Sequence, residues 1–479
     1  VKDKNNTLFQ KRGCRTQHIL MVALLLLSGA VPARADVILH AFNWKYSEVT
    51  AKAEELASLG YKKVLVAPAL KAEGSAWWSL YQPQDLRLIR HALGDKTDYE
   101  EMIRTLRRVG IDVYADAVLN HMANEYTTRS DLNFPGERVL EQYLDNSRSY
   151  TRNLLFGDLT QNLFSAADFH NMGCIDDYEN KFAVENGRIC SSFPGDPGLP
   201  DLADNPWVIE QQQRYLQALK RLGVKGFRID AAKHMNAATL NRIFTPELRS
   251  GMHVFGEIIT YGGKGTSEYD IFLASFLRET SFAAYDFPLL DTLKKAFMHQ
   301  GSFTALADPV RHQNAVEHSR AITAVVTHDI VNNEGFKWYI HDPHDEMLAH
   351  AYILGRNGGT PLIYSDHNES GAGRWVHYYR RSDLKAMIRF HNSTQGAPMK
   401  VIDISDCHIL FSRGDKGLVG INKCGSTVSR SYSLTQLGLK SGGTYENVLN
   451  SQEKVYTDKQ EIHLVLDGRS AKMWLDKRP

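Results

Sequence analysis

The sequence predicts an α/β fold: a (β/α)8 TIM barrel with a small domain inserted after strand three and a C-terminal antiparallel β-sandwich domain. Three observations predict it. Between Val37 and about Thr394, short apolar runs alternate with runs of helical period. Eight such strand–helix units fit there, the repeat number of the barrel. From about Gln395 onward the helical period disappears, and apolar–polar alternation broken by turn residues replaces it. A doubly wound sheet would want a glycine-rich turn after its first strand, whereas the first strand here leads into "NWKYSE".

"VILHAFNW" reads as strand one, followed by a helix over "SEVTAKAEELASLG" that stops at Gly60. "KKVLVAPAL" is strand two, "DYEEMIRTLRRVG" a helix closed by Gly110, and "IDVYADAVLNH" strand three. The stretch from His121 to Trp207 is too long for a βα loop and rich in Asn, Asp, Gly and Pro, so it reads as an inserted domain. The helix "WVIEQQQRYLQALKRLG" precedes strand four, "GFRIDAA", and strand five, "HVFGEII". "SFAAYDFPLL" reads as strand six, "AITAVVTHD" as strand seven, "MLAHAYILG" as a helix, "TPLIYS" as strand eight and "SDLKAMIRFHNS" as the closing helix. The expected boundaries are 36–121 and 206–394 for the barrel, 122–205 for the insert and 395–479 for the β domain.

Lys11, Arg12 and Arg15 precede an apolar run from Ile19 to Leu27 and the small-residue pattern Ala33-Arg34-Ala35. This is the layout of a secretory signal peptide over 1–35, cleaved after Ala35. The run is too short to span a bilayer, and no later segment reads as membrane-spanning. A secreted protein is expected, extracellular or periplasmic, monomeric and without a membrane partner. A formal net charge of +1 leaves no electrostatic footprint for nucleic acid. Of the 5 cysteines Cys14 lies in the signal, leaving Cys174, Cys190, Cys407 and Cys424, an even set that favours disulfides in an exported chain. Three connectivities are open, of which Cys174–Cys190 with Cys407–Cys424 keeps each bond inside one domain.

Chemistry in such a barrel sits at the C-terminal ends of the strands. Strand three ends with Asp116, Asn120 and His121. Strand four carries Arg228, Asp230, Lys233 and His234, strand five Glu257, and strand seven His328 and Asp329. Residues i and i+2 of a strand share a face, so Arg228 and Asp230 lie side by side. Two carboxylates flanking one bond, with a third nearby, suit glycoside hydrolysis, in which like charges push the pKa values apart and one group stays protonated. Arg228 keeps Asp230 ionised, as a nucleophile requires. Glu257 has no adjacent cation in sequence and suits the proton donor.

These residues fall in ordered motifs that resemble the α-amylase superfamily of retaining glycoside hydrolases. The motifs are "DAVLNH" (Asp116–His121), "LPDL" around Asp201, "GFRIDAAKH" (Gly226–His234), "GEII" (Gly256–Ile259) and "THD" (Thr327–Asp329), with "WWSLYQPQD" from Trp77 to Asp85. The resemblance covers nearly all of the chain after the signal. It implies Asp230 as nucleophile, Glu257 as general acid/base and Asp329 as a group that binds sugar hydroxyls. Arg228 would orient Asp230, and Asp116 would be structural. His121 and His328 would hydrogen-bond the sugar, Tyr81 would stack under it, and Trp77 and Trp78 would line further subsites or, for one of them, the core. Lys233 and His234 would lie on the leaving-group side.

The resemblance also implies calcium, with Asn120, Asp201 and the backbone carbonyl of His234 as ligands and Asp196 as a weaker candidate. An uncharged Asn–Asp hydrogen-bond network is the metal-free alternative. Thr327 stands where chloride-activated members carry Asn, and strand eight lacks their basic residue, so no chloride activation is expected. The implied substrates are starch, glycogen and maltooligosaccharides, cleaved at internal α-1,4 bonds with retention. A maltooligosaccharide-forming exo-enzyme, a transglycosylase or a non-catalytic glucan binder on the same scaffold are the alternatives. His341, His344 and His350 do not form HExxH and read as a solvated helix start, and "GGKGTS" at Gly262 lacks the full P-loop spacing and reads as a flexible loop.

Overall fold

Strand β1 (Ile38–Phe42) is buried along its whole length. That is what a strand with helices on one face and a barrel interior on the other requires. It pairs in parallel with β2 (Lys63–Val66) and with β8 (Thr360–Asp366). Parallel pairing continues through β3 (Asp112–Val118), β4 (Gly226–Asp230), β5 (His253–Gly256), β6 (Ala283–Tyr285) and β7 (Ala321–Thr323). The ring closes in the order β1-β8-β7-β6-β5-β4-β3-β2. The structure is a computed structural model that describes residues 37–477 apart from 128, 192 and 368–372. The signal-peptide reading and its cleavage after Ala35 lie outside the described residues.

The barrel interior is a filled core. Ile38, Leu65, Tyr114, Phe255, Tyr285, Ile322 and Leu362 pack together as one buried cluster. Gly226 opens β4 because a Cβ there would lie 2.6 Å from the Tyr114 ring. Two elements differ from expectation. The first helix is two, Tyr46–Ala51 and Ala53–Leu59, separated at Lys52, whose φ of −100° and ψ of 4° leave the helical region. Strand six is only three residues long, because Asp286 accepts a hydrogen bond from Leu289 N and starts the helix Phe287–Phe297 with a proline in its first turn.

Between β3 and the helix Pro206–Leu222 the chain forms loops and the short helices Glu137–Asp145, Ser147–Asn153 and Lys181–Asn186. Isolated bridges His121↔Asp201 and Phe169↔Leu202 tie the end of this segment back to the end of β3. The disulfide Cys174–Cys190 lies within it, and Cys407–Cys424 joins the C-terminal strands, with Cα–Cα distances of 5.6 and 5.3 Å. Among the described residues no helix is long and apolar enough to cross a membrane.

The C-terminal sheet has the order β9-β10-β11-β16-β13-β14, where β9 is Met399–Ile404, β10 His408–Arg413, β11 Gly417–Asn422, β13 Thr444–Asn447, β14 Lys454–Tyr456 and β16 Ser470–Asp476. A two-stranded sheet, β12 (Val428–Ser433) with β15 (Glu461–Leu466), closes a separate core of Leu410, Leu418, Tyr432, Leu437, Leu464 and Trp474. Two cations dock this domain on the barrel. Buried Arg413 donates to the carbonyls of Gly355, Arg356, Thr394 and Ala397, at the ends of the helices Pro343–Gly355 and Ser382–Ser393. Lys423 donates to the carbonyls of Ala296, Met298 and Gly301, at the end of the helix Phe287–Phe297. Helix C-termini carry unpartnered carbonyls and partial negative charge, so a buried cation satisfies both needs.

Candidate active site

The strand registers assemble the carboxylates. Asp116 pairs with Arg228 across β3–β4, Val118 with Asp230, and Ile229 with Gly256 across β4–β5. Asp116 and Arg228 therefore sit at one level, with Asp230 and Glu257 above. Fully buried Arg228 places Nη1 at 2.7 and 2.8 Å from the two oxygens of Asp116 and at 2.8 Å from Asp230 Oδ1. Its Nη2 lies 2.5 Å from Glu257 Oε1. No cation adjoins Glu257 in sequence, but parallel pairing of β4 with β5 brings Arg228 to it. Ala231, directly after Asp230, takes a left-handed conformation (φ 47°, ψ 33°), and its N–H donates to Glu257 Oε2 at 3.1 Å. A strained non-glycine residue of this kind persists where surrounding contacts hold it.

One guanidinium contacts three buried carboxyl groups, Asp116, Asp230 and Glu257, and the half-buried Asp329 lies against Glu257. Burial raises the pKa of each, and Arg228 opposes it. Asp116 and Asp230 are pushed up to about 7, with neighbouring carboxylates adding to burial. Arg228 thus does not hold Asp230 in the ordinary carboxylate range, because burial outweighs it and Glu257 and Asp329 add to burial. A hydrogen bond between Glu257 and Asp329 raises the former and lowers the latter, on top of the burial that raises both. Asn333 Nδ2 donates to Asp329 Oδ1 at 2.9 Å, favouring its ionised form.

Aromatic and imidazole rings surround this cluster. Tyr81 stacks on His328 with centroids 5.5 Å apart and planes at 8°, and its hydroxyl donates to Asp116 Oδ2 at 3.1 Å. Phe42, which the sequence reading did not single out, covers the other side of His328 at 4.8 Å. Burial pulls His328 down to about 3 and His121 to about 4, so both are neutral at pH 7. His121 Nε2 lies 2.9 Å from the Tyr81 carbonyl, and its Nδ1 is buried with no protein partner. That leaves one ring nitrogen of His121 for a ligand. Trp77 packs between Phe42, Tyr81 and His328, while Trp78 is 53% exposed.

Lys233 and His234 make their bonds to partners other than the carboxylate cluster. Lys233 Nζ pairs with Glu268 Oε1 at 2.7 Å, and His234 Nδ1 lies 3.2 Å from the Val184 carbonyl. Both brace loops over the mouth. Their position next to Asp230 in sequence carried no signal of this, because the 3-10 turn Ala232–His234 redirects the side chains.

Two groupings have donors for a cation. Ligand atoms of Glu257, His328 and Asp329 lie within 4.8 Å of one another, inside the carboxylate cluster itself. At the insert, Asp201 Oδ1 and Asn120 Nδ2 are buried without a well-formed hydrogen bond, though the Asn120 amide lies near enough to Asp201 to pull its pKa down, while Asp201 Oδ2 is 2.6 Å from His170 Nδ1. Burial lifts Asp201 to about 6. With the Asn120 amide turned, the two side chains would offer oxygen donors of the kind calcium takes. His234 adjoins His121, which bridges to Asp201, so its backbone belongs to the same neighbourhood. Asp196 is already engaged by Asn124 Nδ2 at 2.6 Å, Ser191 N at 2.7 Å and Gly198 N at 3.0 Å.

A closed parallel barrel with acid groups at the C-terminal ends of β4, β5 and β7 defines a TIM-barrel hydrolase. Two family models match the chain: the alpha amylase catalytic domain over residues 46–146 and the alpha amylase C-terminal all-beta domain over residues 402–476. Over 457 residues the chain is 50% identical to an alpha-amylase of Aeromonas hydrophila, covering 95% of this chain and 98% of that one. An alpha-amylase-related protein of Drosophila varians is 25% identical over 438 residues, 81% of each chain. The chain belongs to the alpha-amylase family of hydrolases. Alpha-amylase I of Eisenia fetida shares its fold with a TM-score of 0.70 at 21% identity, over 92% of this chain and 97% of that one. The alpha-amylase of Geobacillus thermoleovorans complexed with acarbose does so with a TM-score of 0.70 at 16% identity, over 93% and 98%.

Proposed function

We propose that this protein is a secreted, monomeric alpha-amylase that hydrolyses internal α-1,4-glucosidic bonds of starch, glycogen and maltooligosaccharides with retention. The observation that carries this reading is the sharing of Arg228 between Asp230 and Glu257, with Asp329 clustered against Glu257. Glu257, protonated, gives its proton to the glycosidic oxygen as the bond to C1 breaks. Asp230 attacks C1 and forms the glycosyl-enzyme, and Arg228 stabilises the carboxylate until the bond forms. Glu257, now a carboxylate, takes a proton from the water that attacks C1, which frees Asp230 and the sugar. Asp329, held by Asn333, accepts hydrogen bonds from sugar hydroxyls. Tyr81 and Trp77 offer ring faces to the pyranose, and the neutral His121 and His328 supply ring nitrogens.

Asn120, Asp201 and the His234 carbonyl would hold calcium. The bound ion would supply positive charge that ties the insert to the end of β3. The test is the anomeric form of fresh product from maltoheptaose, followed by proton NMR for wild type and Asp230→Asn. An α-anomer that forms first, and is absent with Asp230→Asn, supports retention through Asp230. A β-anomer formed first overturns these roles.

A further inference from the structure

A concavity of about 410 Å3 opens at the other end of the barrel, and its walls include Arg249, Ser250, His253, Ser281, Ser319 and Arg320. His253 is the first residue of β5, Ser281 lies two residues before β6 and Arg320 directly before β7. Arg249 ends the short helix Pro246–Arg249 that leads into β5. The strands run parallel, so these positions share the N-terminal face, opposite the strand ends that carry Asp230, Glu257 and Asp329.

Charge is unbalanced there. Among the described residues neither arginine forms an ion pair. Arg249 Nη1 donates to Ser281 Oγ at 2.7 Å, and its Nε is buried without an acceptor. Arg320 spends its donors on carbonyls, Nε on Phe282 at 2.7 Å and Nη2 on Thr280 at 3.0 Å, with Nη1 on Leu277. Those bonds fix its plane without neutralising it. Burial pulls Arg320 down in pKa, and the acid that opposes this, Glu317, is itself engaged by the Ser319 N–H at 2.9 Å and the Ser319 hydroxyl. Burial, with Lys63 adding to it, takes His253 down to about 4, so its ring is neutral at pH 7. His253 Nδ1 lies 3.1 Å from the Tyr114 hydroxyl, which leaves Nε2 for a ligand. The hydroxyl of Ser281, which accepts from Arg249, still has a proton to give.

A neutral sugar would want an aromatic face, and among the described residues no Trp or Tyr lines this concavity. Two guanidiniums beside hydroxyls suit an oxyanion of two charges, which a phosphate group carries near neutral pH along with three acceptor oxygens. The volume falls within the range of small-ligand sites, roughly 300–1,000 Å3, and so admits a sugar ring that bears the phosphate.

We propose that this concavity binds a phosphate group, as the free ion or as the ester of a small sugar, with Arg249 and Arg320 as its cationic clamp. The site is independent of the amylase reading and stands whether or not that reading holds.

Isothermal titration of the whole protein at about pH 7.5 with inorganic phosphate, glucose 6-phosphate and glucose tests it. Both phosphates bind and glucose does not. Tighter binding of the ester assigns the site to a phosphosugar, and equal binding assigns it to the free ion. In Arg249→Gln the affinity falls about tenfold, the loss of one charge-assisted hydrogen bond. Arg221→Gln removes the same charge from an exposed position on the helix Pro206–Leu222 and leaves the affinity unchanged. Ser250→Asp sets a carboxylate in the wall and abolishes binding, which gives an answer even where Arg249→Gln does not fold. No binding of either phosphate at millimolar concentration overturns the proposal, as does glucose binding as tightly as its phosphate. An equal loss in Arg221→Gln, or undiminished binding in Arg249→Gln and Ser250→Asp, overturns it too.

Discussion

Arg228 Nη2 lies 2.5 Å from Glu257 Oε1, and Nη1 of the same guanidinium holds Asp116 and Asp230. One buried cation therefore sets the charge state of both proposed catalytic carboxyls. In Arg228→Met the pull that lowers their pKa values disappears. Asp230, already raised to about 7, rises further, and the acid limb of kcat/KM moves to higher pH. Arg228→Lys keeps one charge but loses the fork, and activity should fall by roughly 10²–10³-fold. A pH–rate profile whose acid limb stays in place in Arg228→Met would contradict this account.

Asp286 is a second buried acid, at the start of the helix Phe287–Phe297, and burial pushes it up to about 7 against the pull of Arg356. Between pH 4 and 7 the unfolded chain releases this proton while the folded chain keeps it, so stability is lost as pH rises through that window and stays lost above it. Asp286→Asn retains the oxygen that accepts from Leu289 N and Val316 N. Relative to wild type, the variant should gain roughly 2–4 kcal/mol between pH 4 and pH 8. Urea unfolding at both pH values measures it.

Arg413 and Lys423 each cap helix C-termini across the boundary between barrel and β domain. Arg413→Met should cost about 2–4 kcal/mol, because four carbonyls lose a charged donor in a buried place. Hydrogen exchange should quicken first at the ends of the helices Pro343–Gly355 and Ser382–Ser393. Lys423→Met should act the same way at the end of Phe287–Phe297, and loss spread evenly over the protein would argue against this docking role.

Chelation tests the proposed calcium site. With EDTA the melting temperature and the activity should fall together and recover with added calcium, since binding to the folded state alone stabilises by mass action. Asp201→Asn should make the melting temperature indifferent to both. A variant that still responds fully would place the ion elsewhere.

Much of the fold was legible because barrel strands are buried on both faces and their helices on one, which leaves a repeating pattern in the chain. The short sixth strand was not, since "DFPLL" is as apolar as a strand and only the Asp286 cap decides for helix. Within the site, Arg228 and Asp230 were readable as neighbours from strand period alone. The approach of Arg228 to Glu257 was not, because register between parallel strands depends on the whole closed sheet. The pairing of Lys233 with Glu268 was not readable either, because the two residues lie 35 apart in the chain.

By itself, then, the sequence determined the residue types available at each strand end and the order in which the chain presents them. The tertiary structure alone decided how one guanidinium is divided among Asp116, Asp230 and Glu257, and that Asp329 meets Glu257 beside them. Those outcomes depend on distances between segments far apart in the chain. Local pattern carries no distance of that kind; closure of the barrel supplies it.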